Sequence, residues 1–470
     1  MRLVAAICLM AAVAGGCETP GRPAASRAAP AGEGRLVFTL NGPERSAIDV
    51  TVELTGLMLH ARGGGWFQIP VPSTIINSLQ VVRGQIPLAD VPVPAGHYDR
   101  LTMKFGKAFL RQEGKVVDLS VAPEGFTFDV PVDIEPGSVA SLFATWEVER
   151  AVEREAFLAP AFTFHGKEPE LRTVVAYVTN EESNTLLVID RAKNQVVSTI
   201  QVGRAPRGIV VEQPEARRAF VLNGGEDTIT VIDVNTQRVL HTFNIESQAR
   251  AQELAILPLG RTMYVGNVGL NSVSAIDVAS LAVTATIPVG ISPISVAVDP
   301  RGTRVLVANQ GSSSVTLIDA FSNRPLSTVQ VEVGPVHIST DPNPSVDRAY
   351  VASPSSAFMT VLSASSGQVL RRLSVGPGVV ASLPDDIPNR LFLVKASQNR
   401  VAVFDIALNV EIGGFRTGRN PFRIVKDQDR DKLYVVNREG DSVTVADRLS
   451  RRVEATIPVA KRPFGIAILR

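Results

Sequence analysis

Residues 174–190, VVAYVTNEESNTLLVID, contain two alternating apolar runs joined by a polar turn and ended by Asp190. Alternation of apolar and polar residues with a period of two predicts β-strands, and the short polar turn predicts that the two strands form a hairpin. The hairpin is either a lone element or one copy of a repeat. A fixed period of about 40 to 45 residues would indicate the blades of a propeller.

The hairpin recurs seven times. The second run of each copy ends at Asp190, Asp233, Asp277, Asp319, Ser363, Asp405 and Asp447, at intervals of 43, 44, 42, 44, 42 and 42 residues. A third run such as VVSTIQVG follows each pair, and a fourth such as APRGIVV begins the next unit. Four short strands in each of seven units predict an all-β fold with a seven-bladed β-propeller over residues 171–470.

The ends of this region predict how the ring closes. The chain enters the first unit at its second strand and finishes on a first strand, PFGIAIL at residues 463–469. The C-terminal strand is therefore expected to complete the first blade, because a closed ring leaves few strand edges unpaired. Deleting residues 460–470 is expected to unfold or aggregate the propeller.

These units resemble the YVTN-repeat propeller family of secreted and surface proteins, named for the tetrapeptide found at Tyr177 to Asn180. The resemblance covers about 300 residues, and it implies the seven-bladed fold. The fifth and sixth units depart from the pattern, with Ser353, Ser363 and Lys395 in place of the repeated Asn and Asp. We expect the repeated Asn and Asp to be structural, capping turns through bonds to backbone amides.

The N-terminus predicts export and lipidation. Residues 1–16 combine Arg2, an apolar run and small residues, as in a secretory signal peptide, and the run is short for a membrane-spanning helix. Ala14 to Cys17 resembles a bacterial lipobox, although Ala14 stands where Leu is usual, and this implies a lipid on Cys17. The alternative is an ordinary secreted protein cleaved nearby. Residues 17–34, rich in Pro, Ala and Gly, are predicted to be a flexible tether.

Residues 35–168 hold short strand candidates without a repeat, at 36–40, 48–59, 66–71, 99–105, 115–121, 126–134, 138–148 and 157–165. Their spacing predicts an N-terminal β-sandwich. Gly96 and Tyr98 are expected at a turn and a strand start, with the Tyr98 hydroxyl bound to backbone. ELTGLMLHARGGGWFQI, AGHYDRL and FLAPAFTF resemble an uncharacterised β-sandwich family of bacterial and archaeal lipoproteins, which implies no known activity. The domain is either a carbohydrate-binding module or a spacer.

The composition and the motifs exclude several classes of function. The 47 basic and 46 acidic residues give a net charge of +1, which argues against nucleic-acid binding. Cys8 and Cys17 are the only cysteines, so disulfides, cysteine metal sites and cysteine nucleophiles are excluded from the folded region. HExxH, CxxCH and phosphate-binding glycine loops in a suitable setting are absent from the sequence. We therefore predict no cofactor, no metal and no catalytic residue.

One charge pattern suggests a binding surface. Loops leading into the innermost strands should open beside the central channel, and those of four neighbouring blades are basic. The predicted site for an anion or acidic partner comprises Arg204, Arg207, Arg419, Arg423, Lys461 and Arg462. Focused positive potential of this kind attracts anions. The alternative is that acidic turns on the same face, including Glu181 and Glu182, neutralise it through surface ion pairs.

The predicted function is a non-catalytic binding or scaffold role for a lipid-anchored protein of the bacterial cell envelope. The anchor could lie in the outer membrane, at the periplasmic face or at the cell surface. The expected partner is a protein or a glycan, because propeller loops present a broad rigid surface. The alternative is an extracytoplasmic enzyme, a lactonase-like hydrolase or an oxidoreductase, with its site at the channel mouth. Carboxylates converging on the channel would favour the enzyme, and apolar and hydroxyl side chains would favour binding.

Overall fold

The protein is described by a computed structural model that covers residues 32–112, 114–153, 157–166, 174–212, 217–258 and 260–469. Cys17, the predicted signal peptide and the predicted tether up to residue 31 lie outside these residues. Among the residues described, no helix has both the length and the apolar character needed to span a bilayer. The described ranges contain two 3₁₀ turns, at Val148–Arg150 and Ala396–Gln398.

The first part of the chain forms two main antiparallel sheets with one parallel contact. Its strands are β1 (Glu33–Asn41), β2 (Asp49–Ala61), β3 (Trp66–Ile69), β4 (Thr74–Asn77), β5 (Gln85–Pro94), β6 (Gly96–Gln112), β7 (Lys115–Asp118), β8 (Phe126–Ile134), β9 (Val139–Trp146), β10 (Val152–Glu153), β11 (Phe157–Leu158) and β12 (Phe162–His165). One sheet has the order β12-β9-β1-β5, with β1 parallel to β9. The other has the order β3-β2-β6-β7, with β4 added to β2 and β8 added to β6.

Inward-facing residues of both sheets share one apolar core, which makes this part a β-sandwich. On β2, Val50, Val52 and Leu54 alternate inward, and an irregularity in the pairing near Gly56 shifts the alternation so that Leu57 and Leu59 also face the core. The Tyr98 hydroxyl donates to the carbonyl of Pro94 at 2.7 Å, as predicted. The sequence did not predict β4, which has only four residues, or β5, which three prolines interrupt.

The rest of the described chain, from Val175 onward, folds into seven four-stranded antiparallel sheets. From the innermost strand outward, the blades are: blade 1, β40 (Pro463–Ile468), β13 (Val175–Asn180), β14 (Thr185–Asp190), β15 (Gln195–Gln201); blade 2, β16 (Pro206–Val211), β17 (Arg218–Asn223), β18 (Thr228–Asp233), β19 (Arg238–Asn244); blade 3, β20 (Leu254–Ile256), β21 (Thr262–Asn267), β22 (Ser272–Asp277), β23 (Ala282–Pro288); blade 4, β24 (Pro293–Val298), β25 (Arg304–Asn309), β26 (Ser314–Asp319), β27 (Arg324–Gln330); blade 5, β28 (His337–Thr340), β29 (Ala349–Ala352), β30 (Phe358–Leu362), β31 (Val369–Ser374); blade 6, β32 (Val379–Pro384), β33 (Arg390–Lys395), β34 (Arg400–Asp405), β35 (Val410–Arg416); blade 7, β36 (Pro421–Asp427), β37 (Lys432–Asn437), β38 (Ser442–Asp447), β39 (Val453–Pro458).

The ring closes through the C-terminal strand, as the sequence predicted. Strand β40 pairs antiparallel with β13, with Ala176 opposite Ile468 and Val178 opposite Ile466. Each innermost strand contacts the next one around the ring, including β36 with β40 and β40 with β16. The second and third strands of the blades are almost entirely buried, and their side chains form the apolar clusters between adjacent blades.

The repeated Asp residues cap turns, as predicted. Oδ1 of Asp319 accepts the N–H and the hydroxyl of Ser322, both at 2.9 Å. The prediction that the repeated Asn residues bond to backbone amides is wrong. Nδ2 of Asn309 instead donates to Ser314 Oγ at 3.2 Å and to Thr316 Oγ1 at 2.9 Å, tying the second strand to the third inside the blade. A buried amide needs partners, and the small hydroxyls on the adjacent strand supply them.

The sandwich packs on the outer side of blade 1. Strand β15 is buried over Val196–Ile200, whereas its equivalent in blade 2, β19, is mostly exposed. Gln85 bridges the two parts, because its Nε2 donates to the Val196 carbonyl at 2.9 Å and its Oε1 accepts the Val196 N–H at 2.7 Å. At the other end of β1, Nη1 of Arg35 donates to the Ser183 carbonyl at 2.5 Å. Strand β1 therefore runs alongside blade 1, with its first residues beside the turn that contains Ser183.

Candidate functional site

One face of the propeller is formed by the loops that lead into the innermost strands and by the turns between the second and third strands. We call this the channel-mouth face. Backbone hydrogen bonds join the two sets of loops: the Glu181 N–H donates to the Arg462 carbonyl at 2.9 Å, and the Gly225 N–H donates to the Arg204 carbonyl at 3.0 Å. The loops are thus bonded to each other, and the face has a defined shape.

Three arginines converge on Glu181 at this face. Nε of Arg207 lies 3.0 Å from Oε1 of Glu181, Arg438 contacts Oε2, and Nε of Arg462 lies 3.5 Å from Oε2. Burial alone raises the pKa of the Glu181 carboxyl, but Arg438 and Arg207 outweigh this effect and hold that pKa below its ordinary value. Arg462 also lies 3.2 Å from Glu182. The Glu181 cluster, defined by these five residues, therefore carries three cations and two carboxylates.

The other predicted cations on this face differ in their partners. Nε of Arg204 lies 3.4 Å from Glu226. Arg419 donates to a backbone carbonyl, that of Glu439, at 2.8 Å. Within the residues described, neither Arg419 nor Lys461 forms an ion pair with a carboxylate. The acidic turns thus pair with Arg204, Arg207 and Arg462 and leave two exposed cations uncompensated.

Arg423 lies deeper, inside the channel. Its Nε is 3.5 Å from Glu253 Oε1, and its guanidinium carbon is 4.3 Å from the centre of the Phe422 ring and 5.7 Å from that of Phe464. A cavity of about 140 Å³ opens here, lined by Gly208, Ile209, Glu253, Leu254, His337, Arg423, Ile424, Val425, Phe464, Gly465 and Ile466. Burial, followed by the charge of Arg423, holds the pKa of His337 well below its ordinary value, so this ring is neutral at physiological pH.

A second cavity, of about 230 Å³, lies at the opposite end of the channel. It is lined by Ser339, Thr340, Pro342, Leu383, Pro384, Val425, Lys426, Gln428 and Ile468. Nζ of Lys426 is 2.5 Å from Oδ1 of Asp386, so the cation of this cavity is paired. Burial raises the pKa of Asp341 nearby. Within the described ranges, no three or more His, Cys, Asp and Glu side chains gather in a way that suits a metal ion.

The structure brings the predicted residues to one face but divides them among three environments: the Glu181 cluster, the open rim and the channel interior. Sequence reasoning missed Arg438, Glu253 and His337. Arg438 directly follows Asn437 and occupies the turn position that Glu181 occupies in blade 1, so the repeat alignment could have found it. Glu253 and His337 carry no such signal, because their loops differ in length from those of the other blades.

The geometry defines the class of protein as a closed seven-bladed β-propeller. Residues 172–344 match the family described as YNCE-like beta-propeller, which spans blades 2 to 4 together with parts of blades 1 and 5. No curated protein sequence matches the chain.

Solved structures share this fold. Hydrazine synthase from Kuenenia stuttgartiensis aligns with a TM-score of 0.50 and 16% identity over 56% of this chain and 95% of that chain. A functionally unknown protein from Desulfotomaculum acetoxidans DSM 771 aligns with a TM-score of 0.56 and 12% identity over 63% of this chain and 99% of that chain. At these identities, the likeness concerns the fold alone.

Proposed function

We propose that this protein is a membrane-anchored extracytoplasmic lipoprotein that serves as a non-catalytic binding scaffold in the cell envelope. Cys17 carries the lipid. The sandwich is attached to the propeller, because Gln85 and Arg35 of the sandwich form hydrogen bonds with blade 1. The channel-mouth face binds an acidic group of a partner. That partner is a protein or a glycan.

The observation that carries this proposal is the presence, beside the Glu181 cluster, of two exposed cations that no carboxylate of the described residues pairs with. Three guanidinium groups share two carboxylates in the Glu181 cluster, and Lys461 and Arg419 add two cations that lack carboxylate partners among the described residues. Cations held by fixed bonds need little rearrangement when an anion binds. An acidic group at this rim would therefore find preorganised donors.

The channel lining also favours binding over catalysis. The cavity at the far end is lined mainly by apolar and hydroxyl side chains, with its lysine already paired to Asp386. The cavity below the mouth has apolar walls together with three polar side chains, Arg423, Glu253 and His337, and Arg423 is paired to Glu253. Apolar walls with a few placed polar groups are typical of ligand sites.

The test is retention of the purified protein on immobilised heparin, a polyanionic probe, in a salt gradient. Arg419→Glu combined with Lys461→Glu should elute at much lower salt than the wild type, because two cation contacts become repulsive. The matched control is Arg238→Glu combined with Arg324→Glu, which changes the charge equally on exposed outer strands and should elute later than the channel-mouth variant. Equal elution of the two double variants would refute the proposed anion surface.

The lipid is tested separately by growing cells with radioactive palmitate. The wild-type protein should be labelled and a Cys17→Ser variant should not. An unlabelled wild-type protein would refute the anchor without bearing on the anion surface.

A further inference from the structure

The channel-mouth face has an apolar half opposite its basic half. Four large apolar side chains project from its loops in blades 3 to 5: Leu270, Ile291, Val333 and Phe358, which are 37%, 55%, 69% and 46% exposed. We call them the apolar rim. Singly exposed apolar residues are ordinary on a protein surface, but several on neighbouring loops of one face indicate an interaction surface.

The loops of the apolar rim are bonded to one another. The Ser292 N–H donates to Asn271 Oδ1 at 3.0 Å, which joins the loops of Ile291 and Leu270. The Gly334 N–H donates to Ser313 Oγ at 3.3 Å, and the hydroxyl of Ser356 donates to Glu332 at 2.9 Å, which joins the loop of Val333 to its neighbours on both sides. The rim is therefore continuous across three blades.

The chain enters the fold at the same face. Arg35, two residues after the start of β1, bonds to Ser183, which lies in the blade 1 turn that also carries Glu181. The chain from Cys17 to Glu33 makes sixteen residue-to-residue steps and reaches at most about 55 Å, at roughly 3.4 Å per residue. A lipid on Cys17 would therefore be tethered from the side of the channel-mouth face, within reach of a bilayer that contacts this face.

We infer that the channel-mouth face docks on an anionic phospholipid surface, with the apolar rim in the interfacial layer and Arg419 and Lys461 on lipid phosphates. This inference rests on the proposed function, since it names the acidic partner as the lipid headgroup. Apolar side chains beside cations suit the boundary between headgroups and acyl chains. An acidic glycan would satisfy the cations but leave the apolar rim in water.

Docking would fix the orientation of the whole protein. The cavity of about 230 Å³ at the other end of the channel would then face the aqueous space, together with the turns that carry Phe321 and Leu408. Any soluble ligand would reach the propeller from that side.

The sequence offers a clean experiment, because Cys8 and Cys17 are the only cysteines. Processing would remove Cys8 and acylate Cys17, so a new cysteine is the single reactive thiol. Val333→Cys carries an environment-sensitive fluorophore at the rim, and Phe321→Cys, at a position that is 98% exposed, carries it on the opposite face as the matched control. Each lipid-anchored protein is reconstituted into phosphatidylglycerol vesicles that contain lipids with a quenching group at a known depth.

The label at residue 333 should be quenched strongly and the label at residue 321 hardly at all. Adding Arg419→Glu and Lys461→Glu to Val333→Cys should reduce quenching on phosphatidylglycerol to the level seen on phosphatidylcholine. Replacing Ile291 and Phe358 by Ser should weaken the docking equilibrium roughly tenfold, since partial burial of two such side chains is worth about that factor, and should lower quenching at residue 333 as the docked fraction falls. Equal quenching at residues 333 and 321, or none at residue 333, would overturn the inference.

The experiments distinguish a failure of the proposed function from a failure of lipid docking. If palmitate does not label the protein, the same variants are made with Cys17→Ser and mixed with vesicles as soluble chains, and residue 333 should still be quenched. If heparin retains the wild type more strongly than the Arg419→Glu/Lys461→Glu variant but vesicles do not quench the label at residue 333, the anion surface stands and lipid docking is refuted.

Discussion

Nη1 of Arg191 lies 2.5 Å from Oδ2 of Asp427, and their side chains are 1% and 0% exposed. Arg191 follows the last residue of the third strand of blade 1, whereas Asp427 ends the innermost strand of blade 7. Nη2 of Arg191 also donates to the carbonyl of Leu469, directly after the C-terminal strand, at 2.7 Å. One buried side chain thus joins the first blade, the last blade and the closing strand.

Arg191→Met should destabilise the propeller by about 3–5 kcal/mol, because it leaves the Asp427 carboxylate buried without its cation. Arg191→Met combined with Asp427→Leu should recover most of the loss, since two apolar side chains can replace a buried pair. Urea unfolding of the three proteins measures this, with the exposed Arg324→Met as the control. A double variant that is no more stable than Arg191→Met would show that the unpaired Asp427 carboxylate is not the cause of the loss.

Closure of the ring can be tested by adding a single methyl group at Gly465. A Cβ added to Gly465 would lie 2.4 Å from the Arg207 carbonyl oxygen and 3.1 Å from Thr179 Oγ1, so neighbouring backbone would have to move. Gly465→Ala should lower stability by about 1–3 kcal/mol, the usual cost of overpacking. Gly65→Ala is the control, because nothing lies within 4 Å of its added Cβ. Thermal melting of the two variants should separate them clearly.

Removing residues 460–470 is the larger test of closure, because it deletes β40 and leaves β13 without its inner neighbour. We expect aggregation or loss of the propeller transition in calorimetry. A truncated protein that melts at the wild-type temperature would show that the ring does not need its C-terminal strand.

The Glu181 cluster should make stability depend on pH. The pKa of Glu181 is held below its ordinary value of 4.5 in the folded protein, so its contribution is present above that value and lost as pH falls through the folded pKa. Glu181→Gln should cost about 2–3 kcal/mol at pH 7, because three arginines lose a charged acceptor, and much less in strong acid. Thermal melting of the wild type and the variant from pH 7 down to strong acid measures how this stability difference changes with pH. Glu124→Gln, at an exposed position outside the propeller, is the control and should leave the unfolding free energy nearly unchanged.

Blade 5 offers a stabilising substitution. Ser353 stands where five blades have Asn, and Thr360 Oγ1, seven residues later, is buried without a hydrogen-bond partner. In blade 4, the equivalent Asn309 donates to Thr316. Ser353→Asn should therefore add about 1 kcal/mol to the unfolding free energy. Ser353→Ala is the control and should not stabilise, so a gain in both would indicate a different cause.

The local rules of the chain were largely readable from its sequence. The Asp residues at the blade turns act within three residues of themselves, so their capping bonds were predicted correctly. Four of the five repeated Asn residues donate to hydroxyls five and seven residues later on the next strand, and Asn180 donates to backbone carbonyls, so their partners were predicted wrongly. Pairing of Arg191 with Asp427 joins residues more than two hundred positions apart, and no local pattern reveals such a contact.

The sequence by itself determined the seven blades, their four strands and the closure by residues 463–468, because a repeated alternation and its period follow directly from the order of residues. Only the tertiary structure decided which cations on the channel-mouth face are paired. Ion pairing depends on distances of a few ångströms between loops far apart in the chain, and it falls off steeply with separation. The tertiary structure gathered Arg207, Arg438 and Arg462 around Glu181 and left Arg419 and Lys461 without a carboxylate partner among the described residues.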